Sequence, residues 1–361
     1  MEEIKKQPVY YDLNDDVNKY PDAWLYIVMS KRGPGKTYST LRKMVEDDAR
    51  FAFLKRTKED VKLLVEGRQT SKELDTSPFV PLNRDFGWDI RPMKAFNGLA
   101  GFYEFNEFDG EEVPGKFLGY CVAANMATKV KGMDMSIIDW FIWDEFIENP
   151  WDVVPKKLGD AVLSLYETMK RDRKKRGRPE IKMVLLANAV KVDCVMLRTL
   201  NLVDIVAEMD ITGQEYYYDE YKRIMIHIID SDFDLNGDEE KDGIEKTMEG
   251  TAWAASSYGA HFAYNDFTAI GKQKLKGHRC ILHLKHLQKD YYVYKKGSTY
   301  FFTTIKGQCD KTYNLDRENQ QKLFWMDYGI DLRQAAIEDR VIFSSYSGYD
   351  LIVNYRKNFN L

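Results

Sequence analysis

W-L-Y-I-V-M-S-K-R-G-P-G-K-T-Y-S-T-L-R-K-M-V-E-D-D, from Trp24 to Asp48, is the stretch on which the fold turns. Apolar and aromatic residues from Trp24 to Met29 run directly into Ser30-Lys-Arg-Gly-Pro-Gly-Lys-Thr37 and then into a helix-compatible segment. That is the order of a strand, a phosphate-binding loop and a helix. Gly33 and Gly35 let backbone N–H groups wrap closely around a triphosphate. Lys36 neutralises its β/γ oxygens, and Thr37 holds Mg²⁺ at the start of the helix, where the macrodipole favours an anion. The consensus G-x-x-x-x-G-K-[ST] has glycine where this chain has Ser30. The tight turn is therefore expected to rest on Gly33 and Gly35.

The chain around this loop has 361 residues, enough for two domains. A hydrophobic share of 44% and an aromatic share of 14% predict an ordered chain. A net charge of −4 does not by itself mark a nucleic-acid binder, although local patches decide what a surface attracts. Cys121, Cys194, Cys280 and Cys309 form no C-x-x-C pair, which fits a reduced intracellular compartment. The charged opening Met-Glu-Glu-Ile-Lys-Lys-Gln predicts no secretory leader, and no apolar run approaches the roughly 20 residues of a membrane span, so a soluble chain is expected.

Downstream, Phe51-Ala-Phe-Leu54 reads as a second strand, ending in Lys55-Arg56-Thr57-Lys58, and Lys62 to Leu74 as a helix. Alternating strands and helices predict a mainly parallel sheet. From Phe79 to Asn125 short β-like runs around glycines predict hairpins at a sheet edge. Ile137-Ile-Asp-Trp-Phe-Ile-Trp143 reads as a buried strand that delivers Asp144 and Glu145 at its C-terminal end. Such a pair suits a magnesium-shell carboxylate, Asp144, and a base, Glu145, that polarises the attacking water; an acidic turn after a core strand is the plainer reading. A helix over Val153 to Arg173 ends in the basic run Met169-Lys-Arg-Asp-Arg-Lys-Lys-Arg-Gly-Arg178. That run reads as a solvated loop, as a nucleic-acid surface, or as a subunit edge presenting an arginine to a neighbour's phosphate. Lys182 to Val190 reads as a further core strand, with Asn188 placed to sense a γ-phosphate or orient water.

Apolar periodicity weakens from Leu202 to Gly250, which predicts a connector. Within it, Asp232-Phe-Asp-Leu-Asn-Gly-Asp-Glu-Glu240 imitates half of an EF-hand loop, but the twelfth position is Gly243 rather than glutamate. β-like runs at Arg279–Leu287, Tyr291–Lys295 and Thr299–Ile305, followed by helix-compatible Asp316–Tyr328 and Leu332–Asp339, predict a smaller α+β domain. The expected layout is an ATPase domain over 1–205, a linker over 206–250 and a C-terminal domain over 251–361. Strand alternation sends His283 and His286 to opposite faces, so no metal site is expected with Cys280.

The phosphate loop with its internal arginine, W-D-E-F-I at 143–147 and L-L-A-N-A-V at 185–190 together resemble the DNA-packaging motor ATPases of small tailed phages of the phi-twenty-nine type. The likeness runs from about Leu25 to Val190. It implies a P-loop ATPase domain of the additional-strand, catalytic-glutamate class and an RNase H-like C-terminal domain. It implies ATP on Ser30, Arg32, Gly33, Gly35, Lys36 and Thr37, Mg²⁺ at Thr37 and Asp144, and Glu145 as base. Lys131 and Arg171 match the family's lysine shortly before the acids and its arginine at the end of the next helix, and either acts from the same or a neighbouring subunit. Lys55, Arg56 and Lys58 match the segment that faces DNA in a central pore. The implied partners are double-stranded DNA, further copies of the chain in a ring (a pentamer by resemblance), and the portal of a procapsid or a packaging RNA. The implied location is the host cytoplasm, docked on the procapsid. The strand Cys280 to Leu287 carries no metal-binding aspartate, so nuclease activity is not expected. Lys272, Lys274, Lys276, Arg279, Lys285, Lys289, Lys295 and Lys296 leave a basic surface suited to docking on nucleic acid. The competing readings are a P-loop kinase or nucleotide transferase, a nucleotide-gated scaffold, and another DNA translocase or helicase.

Overall fold

The structure, a computed structural model, describes residues 10–70, 75–126, 129–130, 133–149, 152, 154–155, 157–171, 173–229, 243–251, 254, 262, 264–265, 267–359 and 361. The chain divides into two compact units, 1–200 with 212–264 and 201–211 with 265–361.

The first unit opens with α1 (Leu13–Lys19), β1 (Leu25–Ser30), α2 (Lys36–Glu46), β2 (Phe51–Lys55), α3 (Lys58–Thr70) and α4 (Val80–Phe86). It continues through β3 (Ile90–Phe96), β4 (Leu99–Phe108), β5 (Glu111–Ala123), β6 (Trp140–Asp144), α5 (Leu158–Lys170), β7 (Lys182–Asn188) and α6 (Val195–Thr199). The hairpin of β8 (Tyr216–Asp219) and β9 (Ile224–Ile228) completes a nine-stranded sheet of order β3-β4-β5-β2-β6-β7-β1-β9-β8. Strands β5, β2, β6, β7, β1 and β9 are mutually parallel, and both flanks are antiparallel. Every residue of β1 is buried, as expected of a strand covered on both faces in a parallel block. One strand, β7, lies between β1 and β6. In this register Ser30 pairs with Asn188 and Asp144 with Leu186, so the loop after β1, Asn188 and the acids all reach the same sheet edge.

The meander β3–β5 occupies the edge predicted for 79–125. It closes over a cluster of Phe51, Phe79 and Phe102, whose ring centroids lie 5.1 to 6.0 Å apart. Gly119 is required beside it, because a Cβ there would meet the Phe51 carbonyl and ring.

The expected linker over 206–250 is in part sheet. β9 is buried along its length and pairs in parallel with β1. Its apolar run spans only Ile224 to Ile229 between acidic and basic neighbours, too short to stand out by periodicity. Ahead of it, α7 (Val203–Thr212) falls almost wholly in the second unit. There Asp204 accepts hydrogen bonds from the Ser347 N–H and hydroxyl, both at 2.7 Å, and from Lys289 at 3.0 Å. The EF-hand-like stretch Asp232–Glu240 lies outside the described residues.

The basic run after α5 is only partly a solvated loop. Arg173 is 2% exposed and donates to the carbonyls of Pro179 (2.8 Å), Ser136 (2.9 Å) and Ile138 and to the Asp139 carboxylate (2.8 Å). It pins the run to the residues that lead into β6, while Arg171, Lys174, Arg176 and Arg178 stay exposed. Arg173→Ala strands those buried acceptors and should cost about 3 kcal/mol in urea unfolding. Arg171→Ala should stay within about 0.5 kcal/mol of the unaltered chain.

In the second unit β10 (Arg279–His286), β11 (Lys289–Lys296) and β12 (Thr299–Thr303) form an antiparallel meander. β13 (Lys311–Asn314) adds in parallel to β10 and β14 (Val341–Phe343) to β12. Leu282, Leu284, Val293 and Phe302 pack against Phe324, Leu332, Leu351 and Tyr355 from the C-terminal helices. The predicted helical segments appear as Glu318–Phe324 and Ile330–Ile337, joined through a π-helical turn. The chain is thus α/β, with a mixed sheet in each unit.

Cys280 and Cys309, expected as separate thiols, form a disulfide, while Cys121 and Cys194 are free and buried. Parallel pairing of β10 with β13 sets residues 29 apart side by side, and these two cysteines share that spacing. Arg279 pairs with Asp310 and Lys289 with Asp204, so part of the expected basic surface is neutralised locally. Among the described residues no helix is long and apolar enough to cross a membrane.

Candidate phosphate-loop site

β1 ends at Ser30, and the chain turns through Gly33 (φ 96°) and Gly35 (φ 86°) before α2 starts at Lys36. Both glycines occupy the left-handed region, which a side chain would strain. Gly35 is the N-cap and supplies no side chain, so the first amides of α2 are open to an anion.

Lys36 folds back under the loop and is 8% exposed. Its ammonium donates to the Ser30 hydroxyl, to the Lys31 carbonyl at 3.2 Å and to the Asn188 side-chain oxygen at 3.4 Å. Ser30 Oγ in turn donates to the Lys31 carbonyl at 2.6 Å. The serine that departs from the loop consensus is therefore a tether for the lysine. Burial holds Lys36 down at about 8, against the partial opposition of the Asp144 charge.

Thr37 Oγ1 donates to Asp144 Oδ2 at 2.8 Å, joining loop and acid strand. Burial raises the Asp144 carboxyl above its ordinary value, although the Thr37 hydrogen bond and the Lys55 charge pull the other way. A hydroxyl and a carboxylate oxygen in contact at a helix N-terminus fit the coordination of Mg²⁺, which takes few protein ligands and relies on substrate phosphates and water.

Glu145 follows in the left-handed region at φ 56°, a conformation costing a non-glycine residue about 1–3 kcal/mol. Two contacts hold it. Its N–H donates to Asp144 Oδ1 at 3.0 Å, and its carbonyl accepts from Arg56 at 3.1 Å. The turn sends the Glu145 side chain out to solvent while the strand before it stays buried. Lys55, Arg56, Thr57 and Asp60 join Asp144 and Glu145 around a cleft of about 290 Å³.

The structure thus brings together Ser30, Gly33, Gly35, Lys36, Thr37, Asp144, Glu145 and Asn188, with Arg32 exposed on the loop. Lys55 and Arg56 line the cleft beside the acids, and Arg56 also pairs with Asp152 at 2.6 Å. Lys58 begins α3, with its stem near Gly98. Arg171 ends α5 on the far side. Arg173, two residues on, is anchored at Asp139, and the five strand residues from there to Asp144 span about 16 Å. The fold does not bring Arg171 to its own chain's acids. Lys131 lies outside the described residues.

Sequence reasoning missed Arg56 and Asp152 as supports of the Glu145 turn. Their partners lie about ninety residues away along the chain, and no local pattern announces them. Arg56→Ala removes the Asp152 ion pair and the contact to the Glu145 carbonyl, and should cost about 1 kcal/mol in urea unfolding.

A glycine loop with a buried lysine, tied by threonine to an acid strand with one strand between, is compatible with a P-loop ATPase. No protein-family model matches the chain, and no curated protein matches its sequence. Solved structures do match. "The Phi-28 gp11 DNA packaging Motor" is 16% identical, with 98% of this chain and 99% of that one covered and a TM-score of 0.58. "The bacteriophage Phi-29 viral genome packaging motor assembly" is 17% identical, with 97% and 99% covered and a TM-score of 0.64. Over nearly its whole length the chain has the fold of phage DNA-packaging motor proteins.

Proposed function

We propose that the chain is the ATP-hydrolysing subunit of a ring motor that moves double-stranded viral DNA into a preformed capsid. The observation that carries this reading is the Thr37–Asp144 contact beside buried Lys36, on a fold shared with two packaging motors.

ATP lies along the Ser30–Thr37 loop, with Lys36 and the α2 amides on its phosphates. Thr37 and Asp144 would hold Mg²⁺, which would supply charge neutralisation to the triphosphate. Glu145 takes a proton from the attacking water and aligns it, with the Asn188 amide beside the γ end. Arg171, far from its own acids, serves a neighbour's site, where an arginine finger supplies about 10³–10⁵ in rate. A site shared by two subunits makes hydrolysis depend on ring geometry. Lys55, Arg56 and Lys58 follow DNA phosphates without reading sequence. The second unit is an RNase H-like docking module without nuclease activity. Its meander β10–β12, flanked by parallel strands and helices, and its lysines at 272, 274, 276, 285, 295 and 296 support that reading. The motor works in the host cytoplasm, docked through a portal or packaging RNA.

Mixing tests the shared site. Arg171→Ala and Lys36→Ala chains, each inactive alone, should recover activity when combined. In random equimolar rings an interface needs an intact Lys36 on one side and an intact Arg171 on the other, so about one half times one half, a quarter of interfaces, should function. No recovery at any ratio would overturn the trans role. Phosphate release without an acceptor separates this ATPase from a kinase.

A further inference from the structure

The acids and the N-terminal segment lie on opposite sides of the loop strand, since β7 and β6 flank β1 on one side and β9 and β8 on the other. Residues 10–20 follow the second side. Tyr11 donates to Asp16 at 2.8 Å, His227 on β9 contacts the same carboxylate at 3.0 Å, and the Tyr20 and Tyr218 ring centroids are 4.8 Å apart. The segment also crosses the loop, where the Tyr11 N–H donates to the Pro34 carbonyl at 2.9 Å and the Leu13 N–H to Ser39 Oγ at 2.8 Å.

The two adjacent tyrosines then differ sharply in burial. Tyr11 is 6% exposed, whereas Tyr10 is 59% exposed and its side chain lies 3.5 to 3.9 Å from where a Cβ on Gly35 would stand. A pinned backbone therefore holds a solvent-facing aromatic ring against the phosphate loop. A triphosphate with its γ end toward Asp144 and Glu145 leaves the loop on the other side, where this ring is. We propose that Tyr10 is the platform for the nucleotide base, stacking on its heterocycle and favouring the larger purine ring system over a pyrimidine. This rests on the reading of Ser30–Thr37 as a triphosphate site and adds the base end to it.

Calorimetric titration of the full chain with ADP, CDP and pyrophosphate, each with Mg²⁺, tests it. The unaltered chain should bind ADP more tightly than CDP. Tyr10→Ala should weaken ADP about tenfold, erase the preference over CDP and leave pyrophosphate within twofold; Tyr10→Trp should retain ADP. ADP binding unchanged or tightened in Tyr10→Ala would overturn the platform, the tighter case making Tyr10 a cover over the loop. Pyrophosphate and ADP binding that is equally weak in the unaltered and Lys36→Ala chains would instead overturn the phosphate-site reading beneath it.

Discussion

Glu145→Gln is expected to bind ATP as the unaltered chain does and to hydrolyse it about 10²–10⁴-fold more slowly, the range a positioned base supplies. The amide keeps the size of the side chain and leaves both backbone contacts of the turn, to Asp144 and Arg56, in place. Only proton acceptance is lost, so the effect falls on turnover. Single-turnover phosphate release beside equilibrium ATP binding separates the two, and near-normal turnover would remove Glu145 from the base role. A companion variant separates chemistry from strain. Glu145→Gly should be as inactive, yet its unfolding midpoint should not fall, because glycine takes φ 56° without penalty and this offsets its greater unfolded-state freedom.

Lys36→Met should weaken ATP binding about a hundredfold or more, by removing the ammonium buried beneath the loop at the end of β1. The pH dependence gives a sharper signature. With Lys36 held at about 8, its charge is lost in the free chain as pH rises through that value. A bound triphosphate favours the charged form, so binding takes up a proton above pH 8, and ATP affinity should fall by up to about tenfold per pH unit. Stability of the free chain runs the other way. The folded value lies below the ordinary 10.5, so the buried ammonium costs stability below pH 8, and that cost is relieved between 8 and 10.5. Affinity and stability should therefore slope in opposite directions with pH, and Lys36→Met should flatten both contributions. Parallel slopes would contradict the burial of Lys36 as their source.

The core of the site was legible because it is local. Strand, glycine turn, Lys36 and Thr37 are consecutive, and the acids end a strand whose apolar run is unmistakable. Ser30 was harder, since a serine in a glycine position reads as a deviation until its hydroxyl is seen under Lys36. Within the basic run, composition does not distinguish Arg171 from Arg173; the carbonyls around Ser136 to Asp139 select the latter for burial. Strand β9 escaped notice because its register with β1 is a long-range pairing of a short segment. The Cys280–Cys309 pairing likewise depends on which strand lies beside β10, which spacing alone does not state.

The most direct test of a packaging motor measures ATP hydrolysis and nuclease-protected DNA together, with the purified chain, double-stranded DNA and empty procapsids. The predicted result is hydrolysis that rises when DNA and procapsids are added, with DNA becoming protected, and loss of both in Glu145→Gln. Protected DNA accumulating with Glu145→Gln, or hydrolysis indifferent to DNA with none protected by the unaltered chain, would contradict it.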